Sequence, residues 1–569
     1  MLALLQKVEN WVRKNEVLVV RLCFWGIVML AAGLRFWNLG SLPFGFHSDE
    51  VMNGYVGRYI LENGRDLYGN VWSMLYFDHF GDYPNVLPMY LSGFSALLYG
   101  SSVWAVRLPI ALFGVATVML VFTVSRWLWK SPWIGLIAAL CLAVFPWHVI
   151  LSRATAEGIT ASFVFLLGFF VLFRSIERDQ VKGVVLSIGL LLLTYLLYPG
   201  FRVGVPLALL PAFFFAANRQ MKYLLLGATV LCFVLTAFVS QTFWGKGRFK
   251  QTSFLAPNIH IEARTLQYST ALGEGKALEG RLFYNRYVLT GRELVRQYAS
   301  YFSPEFLAAD AGLPPRYVGP EQALIFWTPF GVLALAIIVQ FAQPWKQSEI
   351  SGLFHNKRGK YFLWILWLLA TAPIPAALTY NDVPNIHRAA LMVVLLPFVF
   401  APAWYLLTKV RLPLKPLIVA VTFAVLFAEV VLFWQGYSRI YSTWTGFARQ
   451  DEQLQLANWL QENASKYERV YVPGNEVMPL FYLFAQNRYP AELAGQFSSG
   501  ITVPQIDNVY FVHTHCPSEI QEVRALVGTM NVLLAERSEC DSSNEFSVID
   551  HIEHLDTSKA YDLLETRVE

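Results

Sequence analysis

Long apolar runs divide this chain, and polar segments of very unequal length separate them. The runs are Val17–Leu34, Ala105–Leu128, Trp133–Ile150, Ile159–Phe173, Gly183–Tyr198, Gly204–Ala217, Tyr223–Ser240, Ala323–Phe341, Tyr361–Leu378, Ala389–Leu407 and Leu417–Trp434. Each is near the length a helix needs to cross a bilayer, about 20 residues. The first is long for the apolar part of a cleaved signal peptide, and a long polar segment precedes it, so it reads as a span. The pattern predicts a polytopic α-helical membrane protein of about eleven transmembrane helices.

The loops between the runs set an orientation. Lys130, then Arg174, Arg178 and Lys182, then Arg219 and Lys222 fall on one side. Lys346, Lys357, Arg358 and Lys360, and finally Lys409, Arg411 and Lys415, fall on the same side. Basic short loops mark the cytoplasmic face, which puts the N-terminus inside and the C-terminus outside, as expected for an inner (plasma) membrane protein. The short loops of the other face carry little positive charge, and Arg153, Arg202 and Arg388 stand nearly alone there.

Three segments on that outer face are large: loop 35–104, loop 241–322 and the tail 436–569. The tail alternates helix-like text at Asp451–Ser465 with strand-like text at Arg469–Val472, Asn508–His513 and Asn531–Ala535. That order predicts a small α/β domain outside the membrane. The expected division is a transmembrane domain over 1–435 and a separate extracytoplasmic domain over 436–569.

Composition supports this reading. Of 569 residues, 55% are hydrophobic and 15% charged, with 18 Trp and 27 Tyr, whereas soluble domains carry about 25% charged residues. From Tyr437 onward the chain holds 19 acidic and 9 basic residues, against a net charge of +4 for the whole. A basic membrane part with an acidic tail argues against a nucleic-acid partner. Cys516 and Cys540 lie in the polar tail and could pair if the tail is outside the cytoplasm. His513, His515 and Cys516 could instead offer ligands to zinc, although no fourth ligand is evident.

The sharpest chemical signal is Asp49-Glu50 in SLPFGFHSDEVMNGYVGR, directly after the first run. Carboxylates beside hydrocarbon are costly and mark function. One reading makes Ser48 or Asp49 the cap of a new helix. The other makes Asp49 a general base at the membrane surface. Asp78, His79 and Asp82 form a second polar knot, whose spacing matches no strong metal motif, with Asp82 the better candidate for acceptor contact. Arg153, Arg202 and His387-Arg388 lie at span ends on the same face, where guanidinium groups can clamp a phosphate or reach lipid headgroups. Arg107 opens the second span and can snorkel or pair with a carboxylate.

RFWNLGSLPFGFHSDE followed by YILENGRDLYG resembles the first outer loop of the GT-C glycosyltransferases, and within them the protein mannosyltransferase and aminoarabinose transferase group (family 39-like). SVWAVRLPIALFGVATV, PWHVILSRATAEG, YFSPEFLAADAGLPPRYVG and APIPAALTYNDVPNIHRAALMVVLLP resemble later stretches of that group, in the same order. The resemblance covers roughly residues 30 to 400, and the tail lies outside it.

The resemblance implies a GT-C-type bundle that transfers a sugar from a polyprenyl-phosphate carrier to a protein, lipid or glycan acceptor at the outer face. It places Asp49 at the position of the family's base. Glu50 is then expected to orient Asp49 or the acceptor, and Arg153, Arg202, His387 and Arg388, with His79 and Asp82, to contact substrate. No metal and no cofactor is expected, because cationic side chains can neutralise the phosphate. Two other readings remain open. One is an oligosaccharyl or O-antigen-ligase type of transferase using a diphosphate-linked glycan. The other is a transporter-like protein, although transporters commonly carry polar breaks at mid-membrane rather than polar residues gathered on one face.

Overall fold

The computed structural model describes residues 11–12, 14–72, 76, 84–216, 218–242, 245, 259–273, 276–342, 358–380, 382–408, 415–474, 477–497, 503–541 and 545–566. Asp78, His79 and Asp82 lie outside the described residues, as do Lys346, Lys357, Lys409 and Arg411 of the basic loops.

Among the described residues, seven helices are long and apolar enough to cross a membrane: Glu16–Phe36, Val103–Trp129, Glu157–Glu177, Arg219–Gln241, Gly359–Ala377, Ala390–Leu407 and Pro416–Ile440. An eighth span forms if the bent pair Pro132–Val144 and Pro146–Ser152 counts as one. Pro146 supplies no N–H to continue the helix, and the two halves diverge by 60°. The break lets the Trp147 N–H donate to Leu324 O at 3.0 Å and its indole donate to Ile386 O at 2.8 Å. Three expected spans are shorter apolar helices, Val181–Leu197, Gly200–Phe215 and Trp327–Val339.

A fourth short apolar helix, Val86–Tyr99, lies in the segment read from sequence as an outer loop. Its 14 residues are too few to span. It packs instead on the helix Ser48–Asn63, and the contact is backbone to backbone. A Cβ on Gly57 would sit 2.1 Å from Met89 O, and one on Gly93 would sit 2.2 Å from Gly57 C.

The apolar helices bury one large cluster that includes Trp147, Phe169, Trp364 and Phe398. Glu16–Phe36, Arg219–Gln241 and Pro416–Ile440 stay mostly exposed on its outside, with Leu22, Met29, Phe238, Phe427 and Leu432 facing outward. Apolar surface left open on a helix that is hydrophobic all round suits lipid.

The last apolar helix does not stop at the expected boundary of 435/436. It runs through a π-helical turn at Gly436–Ile440 into a further helix, Tyr441–Ala448. The helix Asp451–Asn463 follows, and then a six-stranded sheet. The strands are β1 (Arg469–Pro473), β2 (Gln505–Ile506), β3 (Val509–Val512), β4 (Val532–Arg537), β5 (Phe546–Glu553) and β6 (Lys559–Thr566), in the order β2-β3-β1-β4-β6-β5. The centre β3-β1-β4 is parallel and both edges are antiparallel. The helix and the first three expected strands stand where the alternation put them; the β5–β6 hairpin was not foreseen.

Side chains alternate across the strands, which gives the sheet two apolar faces. Tyr471, Val532 and Leu534 pack with Val523 and Phe546 on one face. Val470, Val472, Leu533 and Ala535 pack on the other, in a cluster that also contains Phe46, Val51, Tyr55, Val56, Tyr59 and Ile60. The tail therefore shares a core with the first loop. Hydrogen bonds seal the contact: Tyr55 OH donates to Arg488 O at 3.0 Å, and Gly495 N–H donates to Leu67 O at 2.9 Å. A disulfide joins Cys516 to Cys540, so Cys516 has no thiolate to offer a zinc ion with His513 and His515.

Candidate active site

Asp49 and Glu50 enter the first turn of the helix Ser48–Asn63, but neither Ser48 nor Asp49 caps it. His47 does: its Nδ1 accepts the Asp49 N–H at 3.1 Å, while the Glu50 carboxylate accepts the His47 N–H at 3.2 Å. This reciprocal cap satisfies two otherwise orphaned donors. It needs a neutral His47, and burial lowers its imidazole to about 4, with Asp49 opposing and Arg316 reinforcing the effect.

Glu50 turns inward and is buried. Arg107 grips both of its oxygens, Nε to Oε1 at 2.9 Å and Nη2 to Oε2 at 3.0 Å. Arg449, from the segment leading into the tail, donates to Oε2 as well. Burial alone would raise this carboxyl; the two guanidinium groups outweigh it and hold it at about 2. Arg107 also donates to the carbonyls of Leu39, Pro43 and Gly45, and Arg449 to the carbonyl of Arg316 at 3.1 Å. Glu50 is thus the centre of a buried knot that ties together the chain before the helix, the second span, loop 241–322 and the tail. It does not line the cleft, so it can orient the turn that carries Asp49, and the expected contact with an acceptor is not open to it in this arrangement.

Asp49 points the other way, and its side chain is 44% exposed. It faces a cleft of about 800 Å³ lined also by Asn53, Asn85, Glu157, Arg316, Asp382, His387 and Arg388. Arg316 donates to Asp49 Oδ2 at 2.6 Å. Glu157, at the start of the helix Glu157–Glu177, meets His387 Nε2 at 3.1 Å. The Asn385 side chain accepts from the backbone N–H groups of His387 and Arg388, each at 3.0 Å. Arg388 Nη1 donates to Thr379 Oγ1 at 2.7 Å. Tyr198, His387 and Arg388 also line a second, apolar hollow of about 390 Å³ with Phe165, Phe201, Pro375 and Leu391. Polar cleft and apolar hollow therefore meet at one junction.

The remaining expected residues stand behind this front. Arg202 is buried and donates to Asn85 Oδ1 at 2.6 Å, to Tyr195 O at 3.0 Å and to the Tyr76 hydroxyl. It supports a wall of the cleft through Asn85. Arg153 is fully buried and gives its guanidinium to the carbonyls of Leu34, Trp37 and Leu42, at 2.8, 2.7 and 2.9 Å. The expected phosphate contact is not open to it in this arrangement, because closing the end of the first span occupies both of its terminal nitrogens. His79 and Asp82 are not described. Arg316, Glu157, Asp382 and Asn385 went unnoticed in the sequence, although Arg316 and Glu157 stand inside PPRYVG and RATAEG, two stretches on which the resemblance rests.

A bundle of apolar helices thus carries an acid-bearing cleft beside the segment 35–104. Residues 82–244, less than a third of the chain, match the family described as dolichyl-phosphate-mannose-protein mannosyltransferase. No curated relative matches the chain. Among solved structures, ArnT from Cupriavidus metallidurans bound to undecaprenyl phosphate is similar at 10% identity and a TM-score of 0.47, over 95% of this chain and 97% of that one. The same protein in the apo state is similar at 11% identity and a TM-score of 0.46, over 97% and 98%.

Proposed function

We propose that this protein transfers a sugar from a polyprenyl-phosphate carrier to an acceptor hydroxyl at the outer face of the membrane. The observation that carries the reading is the junction at Tyr198, His387 and Arg388, where an apolar hollow adjoins a cleft lined by Asp49 and the guanidinium groups of Arg316 and Arg388. A lipid phosphate needs such a seam, with hydrocarbon on one side and donors on the other.

In this reading the acceptor hydroxyl attacks the anomeric carbon in a single inverting displacement. The bond from that carbon to the phosphate oxygen breaks, and the polyprenyl phosphate leaves with the electron pair. Asp49 takes the hydroxyl proton as general base. Arg388 and His387 hold the departing phosphate, Arg202 keeps Asn85 in place, and Glu50 fixes the turn under Asp49. Arg153 anchors the end of the first span, and Asp82 with His79 contacts the acceptor. The cleft, loop 35–104 and the tail lie on the extracytoplasmic side and the N-terminus on the cytoplasmic side, in line with the basic loops. The shared core of tail and first loop supports putting those two on one face. The acceptor is a protein, lipid or glycan.

The test is Asp49→Asn assayed in membranes with a defined polyprenyl-phosphate sugar. We expect turnover to fall by at least about 100-fold, the scale of a lost general base. Turnover near that of the unmodified protein would remove the catalytic assignment.

A further inference from the structure

The resting arrangement contains a conflict that the proposed chemistry must resolve. Asp49 is the base, yet Arg316 donates to its Oδ2 at 2.6 Å. A guanidinium on that oxygen competes with a hydroxyl for it and opposes the protonation that a base must undergo. Arg316 also reaches the ring of His47, with Nη1 3.2 Å from Nε2, so it lies across the opening of the helix that presents Asp49.

Arg316 is built for a change of partner. Its backbone is fixed, since its carbonyl accepts from Arg449 and ties the loop to the buried knot. Its side chain lies along the Tyr317 ring at 5.1 Å, a planar surface on which a guanidinium can slide. Its Nε is buried with no hydrogen-bond partner among the described residues, so the group has donor capacity that Asp49 and His47 leave unused. Arg316 and Arg388 line the same cleft, and Arg388 stands where that cleft meets the apolar hollow. A phosphate seated at the junction would present its oxygens to both.

We infer that Arg316 is an exchangeable cation: the phosphate of an incoming lipid donor takes it from Asp49, and the base is released only when a donor is in place. This rests on the function proposed above and extends it to an order of events, donor before acceptor. It also gives a reason for the pairing. A base left uncovered in a water-filled cleft would activate water, and covering it until the donor arrives favours transfer over hydrolysis.

The test is equilibrium binding of farnesyl phosphate to the full chain in detergent micelles, with farnesol and inorganic phosphate as further probes. Asp49→Asn removes the charge that competes for Arg316 and should tighten farnesyl phosphate by about tenfold, the scale of one charge-assisted hydrogen bond. Arg316→Gln should weaken it by a similar factor, and Arg316→Lys, which keeps the charge in case the glutamine variant folds poorly, should weaken it less. The double variant should bind like Arg316→Gln alone. Tightening that survives loss of Arg316, or an Asp49→Asn affinity equal to that of the unmodified protein, would overturn the exchange. So would failure of the unmodified protein to bind farnesyl phosphate, or farnesol binding as well as its phosphate. Inorganic phosphate reproducing the variant pattern would support the exchange and assign it to the anion alone. A protein that binds in this pattern but makes no transferase product would sink the enzymatic reading and leave the exchange standing.

Discussion

On one side of the helix Ser48–Asn63, Glu50 is sealed from water between the guanidinium groups of Arg107 and Arg449. One residue earlier, Asp49 faces a cleft of about 800 Å³ with its side chain nearly half exposed. The residues are chemically alike and adjacent, and the step of one residue along a helix aims them about 100° apart. The buried site spends every polar atom of its carboxylate on holding strands of the chain together. The open one keeps its carboxylate where a ligand can compete for it. What separates the two carboxylates is the degree of satisfaction, since a fully paired buried ion has nothing left to give a ligand.

The comparison is broken most directly by neutralising each acid in turn. Glu50→Gln leaves two buried guanidinium groups without their counter-ion, a change that costs about 3–5 kcal/mol. We expect a large drop in the melting temperature of the detergent-solubilised protein. Asp49→Asn loses only the half-exposed pair with Arg316 and should cost no more than about 1 kcal/mol in the same melt, while turnover falls. Equal melting temperatures for the two variants would abolish the distinction drawn above.

A smaller effect should come from the support beneath the turn. Gly57→Ala places a methyl group against Met89 O, and overpacking of this kind costs about 1–3 kcal/mol. The variant should melt earlier and lose turnover in proportion to the fraction unfolded, with the Michaelis constant for donor unchanged. A raised Michaelis constant at full stability would instead place the helix crossing in substrate binding.

The mildest probe is pH. The His47 imidazole sits at about 4 in the folded chain against an ordinary 6.5, so between those values the unfolded chain binds more protons than the folded one. Stability therefore rises with pH across that window. Glu50, at about 2 against an ordinary 4.5, adds a second rise between those two values; its contribution is complete above 4.5 and lost as pH falls through 2. His47→Gln should flatten the stability profile between pH 4 and 6.5, and a slope that persists in that variant would assign the titration to another group.

That Asp49 faces a cleft accords with a sequence signal that is expensive and local, an acidic pair directly after an apolar run. The role of Glu50 was not legible in the sequence, because its partners lie 57 and 399 residues away and only folding brings them together. Arg153 differs from its expectation for a related reason: a guanidinium at a span end reads as a hydrogen-bond donor to phosphate, yet the carbonyls at the end of the first span take the same nitrogens. The eleven apolar runs all became helices, since long hydrophobic stretches leave the backbone few alternatives in lipid. Val86–Tyr99 was missed because an apolar helix of 14 residues is too short to give the length signal of a span. The bond between tail and first loop was invisible for want of any pattern that reports which surfaces meet.

That bond bears on how the protein can be handled. Phe46, Tyr55 and Tyr59 fold against Phe481, Phe484 and Tyr489, so a shortened version ending after the last apolar helix would strip the inner lining from the segment that presents Asp49. Exchanging this tail for a purification tag would leave the support of that segment to be rebuilt.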